Sequence, residues 1–156
     1  MYNIIAKSYN ELYEEEQLKK LKIISTILKI KKDDNLLDLG AGTGISTNYF
    51  DCISYGIEPS INMIKNGKGN LINASAEQLP FKSNVFDVVI SVTSFHNFSN
   101  FDKAISEIKR VAKNKSRILI TVLKKSKKVK LIEKKLITNF NLIKIEEEQD
   151  LIFYTK

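Results

Sequence analysis

Two patterns of apolar and polar positions alternate along the chain. In the first, apolar residues recur every three or four positions. Residues 9–29, "YNELYEEEQLKKLKIISTILK", place Tyr9, Leu12, Tyr13, Leu21, Ile24 and Leu28 on one face, which predicts an amphipathic helix. Asp33, Asp34 and Asn35 end it. In the second pattern, short runs are apolar almost throughout. Residues 36–39 form such a run and predict a first strand, followed by "GAGTG". A short helix is then expected over 44–51 and a second strand over 54–58. Pro59 and Ser60 suit the start of a helix over 60–66, with Met63 and Ile64 facing inward. Strands follow over 71–74 and 86–92, the latter apolar enough for burial on both faces. A helix is predicted over 101–113, with Ala104, Ile105, Ile108, Val111 and Ala112 on its buried side, and a strand over 116–123. A helix over 127–138 and a hairpin of two strands, 141–148 and 150–156, complete the pattern.

Strands alternating with helices predict a doubly wound, mostly parallel α/β sheet of seven strands, with helices on both faces and an antiparallel hairpin at the C-terminal end. No repeat, linker or boundary divides the 156 residues, so one domain is expected: a helical segment over 1–32 and an α/β core over 33–156. Ligands of such sheets bind beyond the carboxyl ends of the strands. The loops after residues 39, 58, 74, 92 and 123 therefore share a rim.

Composition narrows the function. With 43% hydrophobic and 28% charged residues, a soluble globular protein is expected. No window is apolar enough for a membrane span, and "MYNIIAKSYNELYEEEQ" lacks the regions of a signal peptide. Cys52 is alone, so no internal disulfide forms, which suits a reducing cytoplasm. One cysteine and one histidine argue against a protein-built zinc site, and no metal is expected. The net charge of +7 is carried almost wholly by lysine. It reflects either a compositional bias or an anionic partner such as RNA.

Gly40, Gly42 and Gly44 lie between a strand and the next element, where glycine admits a tight turn and close approach of a ligand to the backbone. A phosphate loop needs a lysine that is missing here. A dinucleotide fingerprint, G-x-G-x-x-G, needs a third glycine where Ile45 stands, which also weakens a reading as an NAD-linked oxidoreductase. Asp38, just ahead of the loop, is poorly placed for a pyrophosphate and well placed for a ligand carrying positive charge.

"LLDLGAGTG" (36–44) resembles the first motif of the class I S-adenosylmethionine (SAM) dependent methyltransferases, in particular the type 11 group. Glu58 ends the second strand, where that family places an acid. "ASAEQLPF" (74–81) is similar to the family's D-A-E-x-L-P-F, and "FDVVISVTSFHNF" (86–98) to its fourth strand and following loop. "AISEIKRVAKNKS" (104–116) resembles "ALREIARVLKPGG", and "IAKSYNELY" (5–13) the leading A-x-x-Y-D. The matches run in order from about residue 5 to 123.

The resemblance implies a Rossmann-like fold, SAM as cofactor and S-adenosylhomocysteine as product. It implies that Gly40, Ala41, Gly42 and Gly44 carry the cofactor's tail and ribose, that Glu58 accepts hydrogen bonds from the ribose diol, and that Asp38 faces the tail ammonium. The alternatives are a solvated acid at Glu58 and capping of the loop by Asp38. Pro59 and Met63 would flank the adenine, unless Met63 is core. Ser75 stands where relatives carry an acid for the adenine amino group, beside the Ala76 amide. Glu77 is a further ligand of the site or a surface acid. Ser91 to His96 would lie near the methyl group, and His96 is the candidate catalytic base, with a packing role as the alternative. Tyr9 would close over the site, unless it is plain helix core. The departure from P-G-G at "KNKS" alters a turn.

The acceptor is the open point. No lid-forming insertion is evident, which favours a large substrate, RNA or protein, or a partner chain that completes and activates the site. "KKSKKVKLIEKK" (124–135) holds seven lysines in twelve residues, where the chain average gives about two. Starting at the rim, it offers an RNA or protein contact, or simply a solvated helix face. The expected function is SAM-dependent methyl transfer by in-line displacement. The alternative is a SAM-binding subunit or sensor without catalysis of its own.

Overall fold

The structure, a computed structural model, describes the backbone of residues 2–156 and the side chains of residue 8 and residues 10–156. Alternation along the central strands sets its layers. In β1 (Asn35–Leu39) and β4 (Phe86–Ser91), Leu36, Val88 and Ile90 face one side, and Leu37, Leu39 and Val89 the other. The first set packs on Leu21 and Ile24 of α1 (Tyr2–Ile27), on Leu28 just after it, and on Phe50. The second packs on Ala104, Ile105 and Ile108 of α3 (Phe101–Val111) and on Ile132 and Leu136 of α4 (Val129–Asn139).

The remaining strands are β2 (Ile53–Glu58), β3 (Leu71–Asn73), β5 (Ala112–Leu123), β6 (Leu142–Glu146) and β7 (Asp150–Thr155). They form one seven-stranded sheet in the order β3-β2-β1-β4-β5-β7-β6. All pairs are parallel except β5–β7 and β6–β7, which are antiparallel. The expected Rossmann-like architecture with a C-terminal antiparallel hairpin is therefore present. No helix among the described residues is long and apolar enough to cross a membrane.

Three elements differ from expectation. Residues 44–51 form a succession of turns, not a helix. The hydroxyls of Ser46 and Thr47 bond to Asp38, and the Asn48 amide bonds to the carbonyls of Gly44 and Lys68, so these side chains compete with a regular ladder. Every described side chain of α1 ahead of Gln17 is exposed, so Leu12 and Tyr13 are not core. α3 stops at Val111, and β5 begins four residues early with a register shift opposite Phe86–Val88.

In that early segment Lys115 adopts φ +64°, where the resembling family has a glycine. A left-handed φ costs an L-residue about 1–2 kcal/mol, partly offset by glycine's extra chain entropy. Lys115→Gly is therefore expected to stabilise the protein by roughly 0.5–1 kcal/mol in urea unfolding. The Glu107 and Arg110 of "EIKR" have a structural task. Glu107 accepts the Leu79 N–H at 2.7 Å, and Arg110 donates to the carbonyls of Phe81 and Leu79, pinning the loop after β3.

Candidate cofactor site

The glycine loop is fastened on both sides. The N–H groups of Gly40 and Ala41 donate to the Ile57 carbonyl at 2.9 and 3.0 Å, joining the loop to β2. Gly40 has φ +73°, and a Cβ there would collide with Ser94. The Ser94 hydroxyl in turn donates to the Gly40 carbonyl at 2.9 Å, so the loops after β1 and β4 are locked together. Gly42, with φ +58°, differs: a Cβ on it would meet nothing within 4 Å, so its bare backbone faces open space. Gly44 turns towards a neighbouring groove with Asn48 and Lys68.

Two acids stand behind this loop. Glu58 is nearly buried, and its carboxylate bridges two backbone donors: Gly42 N–H on Oε1 and Ser60 N–H on Oε2, both at 2.8 Å. Each oxygen keeps acceptor capacity for a further donor. Asp38 is fully buried. Its Oδ2 accepts the hydroxyls of Ser46 at 2.6 Å and Thr47 at 2.8 Å, while Oδ1 has no partner among the described residues. Burial pushes its carboxyl up to about 6, against the two hydroxyl bonds, with a smaller upward push from Glu58. It does not cap the loop's amides.

A cavity of about 360 Å³ lies between α1 and the loop, at the small end of the range for ligand sites. Gly40, Ala41, Gly42, Ser46, Val92 and Met63 form its floor and sides, and Asn10, Tyr13 and Gln17 of α1 its roof. Asp38 and Glu58 each reach it through one hydrogen-bonded neighbour, Ser46 and Gly42 respectively. Met63 does not face the core: it is half exposed on α2 (Ile61–Lys65), which Ser60 caps by accepting the Met63 N–H, and it lines the cavity.

Other expected residues lie outside this cavity. Ser75 and buried Ala76 form the turn after β3, Pro59 is exposed, and its carbonyl accepts a bond from Asn73. Glu77 accepts the N–H groups of Ser99 and Asn100 and so braces the loop after β4. The Ser91 hydroxyl donates to the Leu39 carbonyl at 3.1 Å within the sheet. His96 sits in a short 3-10 turn, Phe95–Asn97, with Nδ1 buried and unpartnered among the described residues. Burial lowers its pKa below the usual histidine value, so its imidazole is neutral at neutral pH. The side chain of Tyr9 lies outside the described residues.

The sequence pattern alone does not single out Asn10, Gln17 and Lys20. The signal is present in the buried stripe of α1. Gln17 and Lys20 continue the Leu21, Ile24, Leu28 face towards the N-terminus, and both are buried despite their polarity. Among the described residues no His, Cys, Asp and Glu cluster could hold a metal.

A family model described as a methyltransferase domain matches residues 37–120, more than half of the chain. The chain belongs to this methyltransferase family. The family's cofactor is S-adenosylmethionine. The chain is 33% identical over 125 residues to the uncharacterized protein MJ1252 of Methanocaldococcus jannaschii, covering 78% of this chain and 49% of that protein. It is 32% identical over 109 residues to the ubiquinone/menaquinone biosynthesis C-methyltransferase UbiE of Francisella tularensis, covering 58% of this chain and 43% of that one. It thus spans about half the length of the curated relatives it matches. The fold is also that of a SAM-dependent methyltransferase from Aquifex aeolicus, with TM-score 0.67 and 19% identity over 90% of this chain and 87% of that one.

Proposed function

We propose that the chain binds SAM in the cavity under α1 and transfers its methyl group to a small organic acceptor. The observation that carries the reading is the pairing of Gly42's open backbone with the unpartnered Oδ1 of Asp38. A buried acceptor oxygen without a donor is costly, and a ligand ammonium would satisfy it. When bound, SAM supplies an electrophilic sulfonium methyl group. The residues of the chain bind and orient. Within the cavity Gly40 to Gly44 would give close backbone access and Met63 would flank the adenine. Glu58, behind Gly42, would accept from the ribose diol, and Pro59, Ser75 and the Ala76 amide, beyond the cavity's edge, would hold the adenine where it extends past Met63. Enclosure by α1 excludes water and aligns the partners, the main source of rate in such a transfer.

Glu58→Ala removes the proposed diol acceptor. SAM affinity is expected to fall by about 1–3 kcal/mol, roughly 5- to 150-fold, in calorimetric titration. Affinity unchanged within twofold would remove Glu58 from the site.

His96 is proposed as proton acceptor when the nucleophile carries a proton. Its neutral form is required, so turnover should decline as pH falls through its lowered pKa. A pH profile measured on His96→Asn should lose that acid limb while SAM affinity stays constant. Persistence of the limb would exclude the role.

The similarity to a C-methyltransferase of ubiquinone/menaquinone biosynthesis supports a small acceptor. A second reading, methylation of RNA, is favoured by the lysine segment. Lys124 pairs with Glu146 and Lys135 with Asp102, while Lys125, Lys127, Lys128, Lys130 and Lys134 are exposed. Labelled SAM with cell extract, fractionated into small molecules, protein and RNA, separates the readings by where the label goes. No transfer in any fraction, with SAM bound, would favour a SAM-binding subunit that needs a partner chain.

A further inference from the structure

Around Lys20 the structure holds a buried polar network that the proposed binding site does not use. Lys20 is 4% exposed and Asp150 fully buried. The Lys20 ammonium donates to Thr93 Oγ1 at 3.0 Å and lies 3.2 Å from Asp150 Oδ1, where the angle falls short of a hydrogen bond. Asp150 Oδ2 accepts the hydroxyls of Thr93 at 2.6 Å and Thr121 at 2.8 Å, and Thr121 Oγ1 accepts the Thr93 N–H at 2.8 Å. Thr93 has φ +53°, a conformation that β-branched residues seldom adopt without such support.

This network connects three parts of the cavity. Thr93 lies between Val92, which lines the cavity, and Ser94, which bonds the Gly40 carbonyl. Lys20 is one helical turn from Gln17, and Gln17, Tyr13 and Asn10 rise along the same helix as the roof. No described side chain of α1 ahead of Gln17 is buried, so the roof has little packing of its own. We infer that Lys20 is a positioning residue, whose ammonium ties α1 to Thr93 and thereby holds the roof over the cofactor cavity. The inference rests on the proposed SAM site for its functional consequence, but not for the tie itself.

The test is the double variant Lys20→Met/Asp150→Asn, compared with the wild-type chain. Both charges vanish together, Asn still accepts from Thr93 and Thr121, and Met fills the lysine stem, so no buried charge is left unpaired. Expected are a melting temperature within a few degrees of wild type, SAM bound at least tenfold more weakly, and amide exchange over residues 10–17 at least tenfold faster without ligand. A merely structural role would lower stability and affinity together. If the double variant does not fold, Lys20→Leu/Asp150→Asn, a second neutral replacement of the same pair that leaves Thr93 in place, is read by the same measurements with the same expectation. A folded variant with wild-type exchange over residues 10–17 overturns the tie. Faster exchange with wild-type SAM affinity overturns its role in the site. If the wild-type chain itself binds no SAM, the functional proposal has failed, and ligand-free exchange alone decides whether Lys20 holds the helix.

Discussion

Asp150→Ala lowers the free energy of unfolding by about 3–5 kcal/mol, the expected result of leaving one partner of a buried ion pair behind. The Lys20 ammonium would keep its bond to Thr93 but lose the carboxylate at ion-pair distance. The hydroxyls of Thr93 and Thr121 would lose their shared acceptor at the same time. Urea denaturation checks this as a fall in midpoint at constant slope. The single variant should lose far more than Lys20→Met/Asp150→Asn, because only the single variant buries an uncompensated charge. A loss below about 1 kcal/mol would place the pair among ordinary surface bridges and contradict its assigned burial.

Asp38 should couple cofactor binding to pH. Its folded pKa of about 6 is raised above the unfolded value near 3.8. The ligand-free fold therefore holds this proton more tightly than the unfolded chain does. The resulting stability is fully present below about pH 4 and is lost as pH rises through about 6. Across that window it amounts to about 3 kcal/mol, at about 1.4 kcal/mol for each tenfold difference in proton affinity. Asp38→Asn should accordingly stabilise the ligand-free protein at pH 7 by up to that amount, since Asn keeps an acceptor for Ser46 and Thr47 without the buried charge. The bound ammonium needs the opposite form. SAM affinity of the wild type should fall by up to tenfold per pH unit from about 6 down to about 4. In Asp38→Asn it should be weak at every pH and flat across this range. Wild-type binding that is independent of pH between 4 and 7 would remove Asp38 from contact with the charge.

What the sequence made legible follows from how local each determinant is. The nearly continuous apolar runs at 36–39 and 86–92 and the helical stripe at 104–112 are set by burial, and all became elements within a few residues. The loop at Gly40 to Gly44 was legible because only glycine suits its conformation. Residues 44–51 were not, because Ser46, Thr47 and Asn48 spend their side chains on Asp38, Gly44 and Lys68, and none of these bonds shows in the apolar pattern. Glu58 reads as an acid at a strand end, but its bridging of Gly42 and Ser60 depends on the fold. Lys20 was hidden for the same reason. Its partner Asp150 lies 130 residues away, and only antiparallel insertion of β7 beside β5 brings that acid to the rim.

The most direct measurement is calorimetric titration of the wild-type chain with SAM at pH 7.5. Saturable binding of one SAM per chain, weakened by Glu58→Ala, is predicted. Absence of any binding heat or protection by SAM in the folded wild-type chain would contradict the central claim that the cavity beneath α1 is a SAM site.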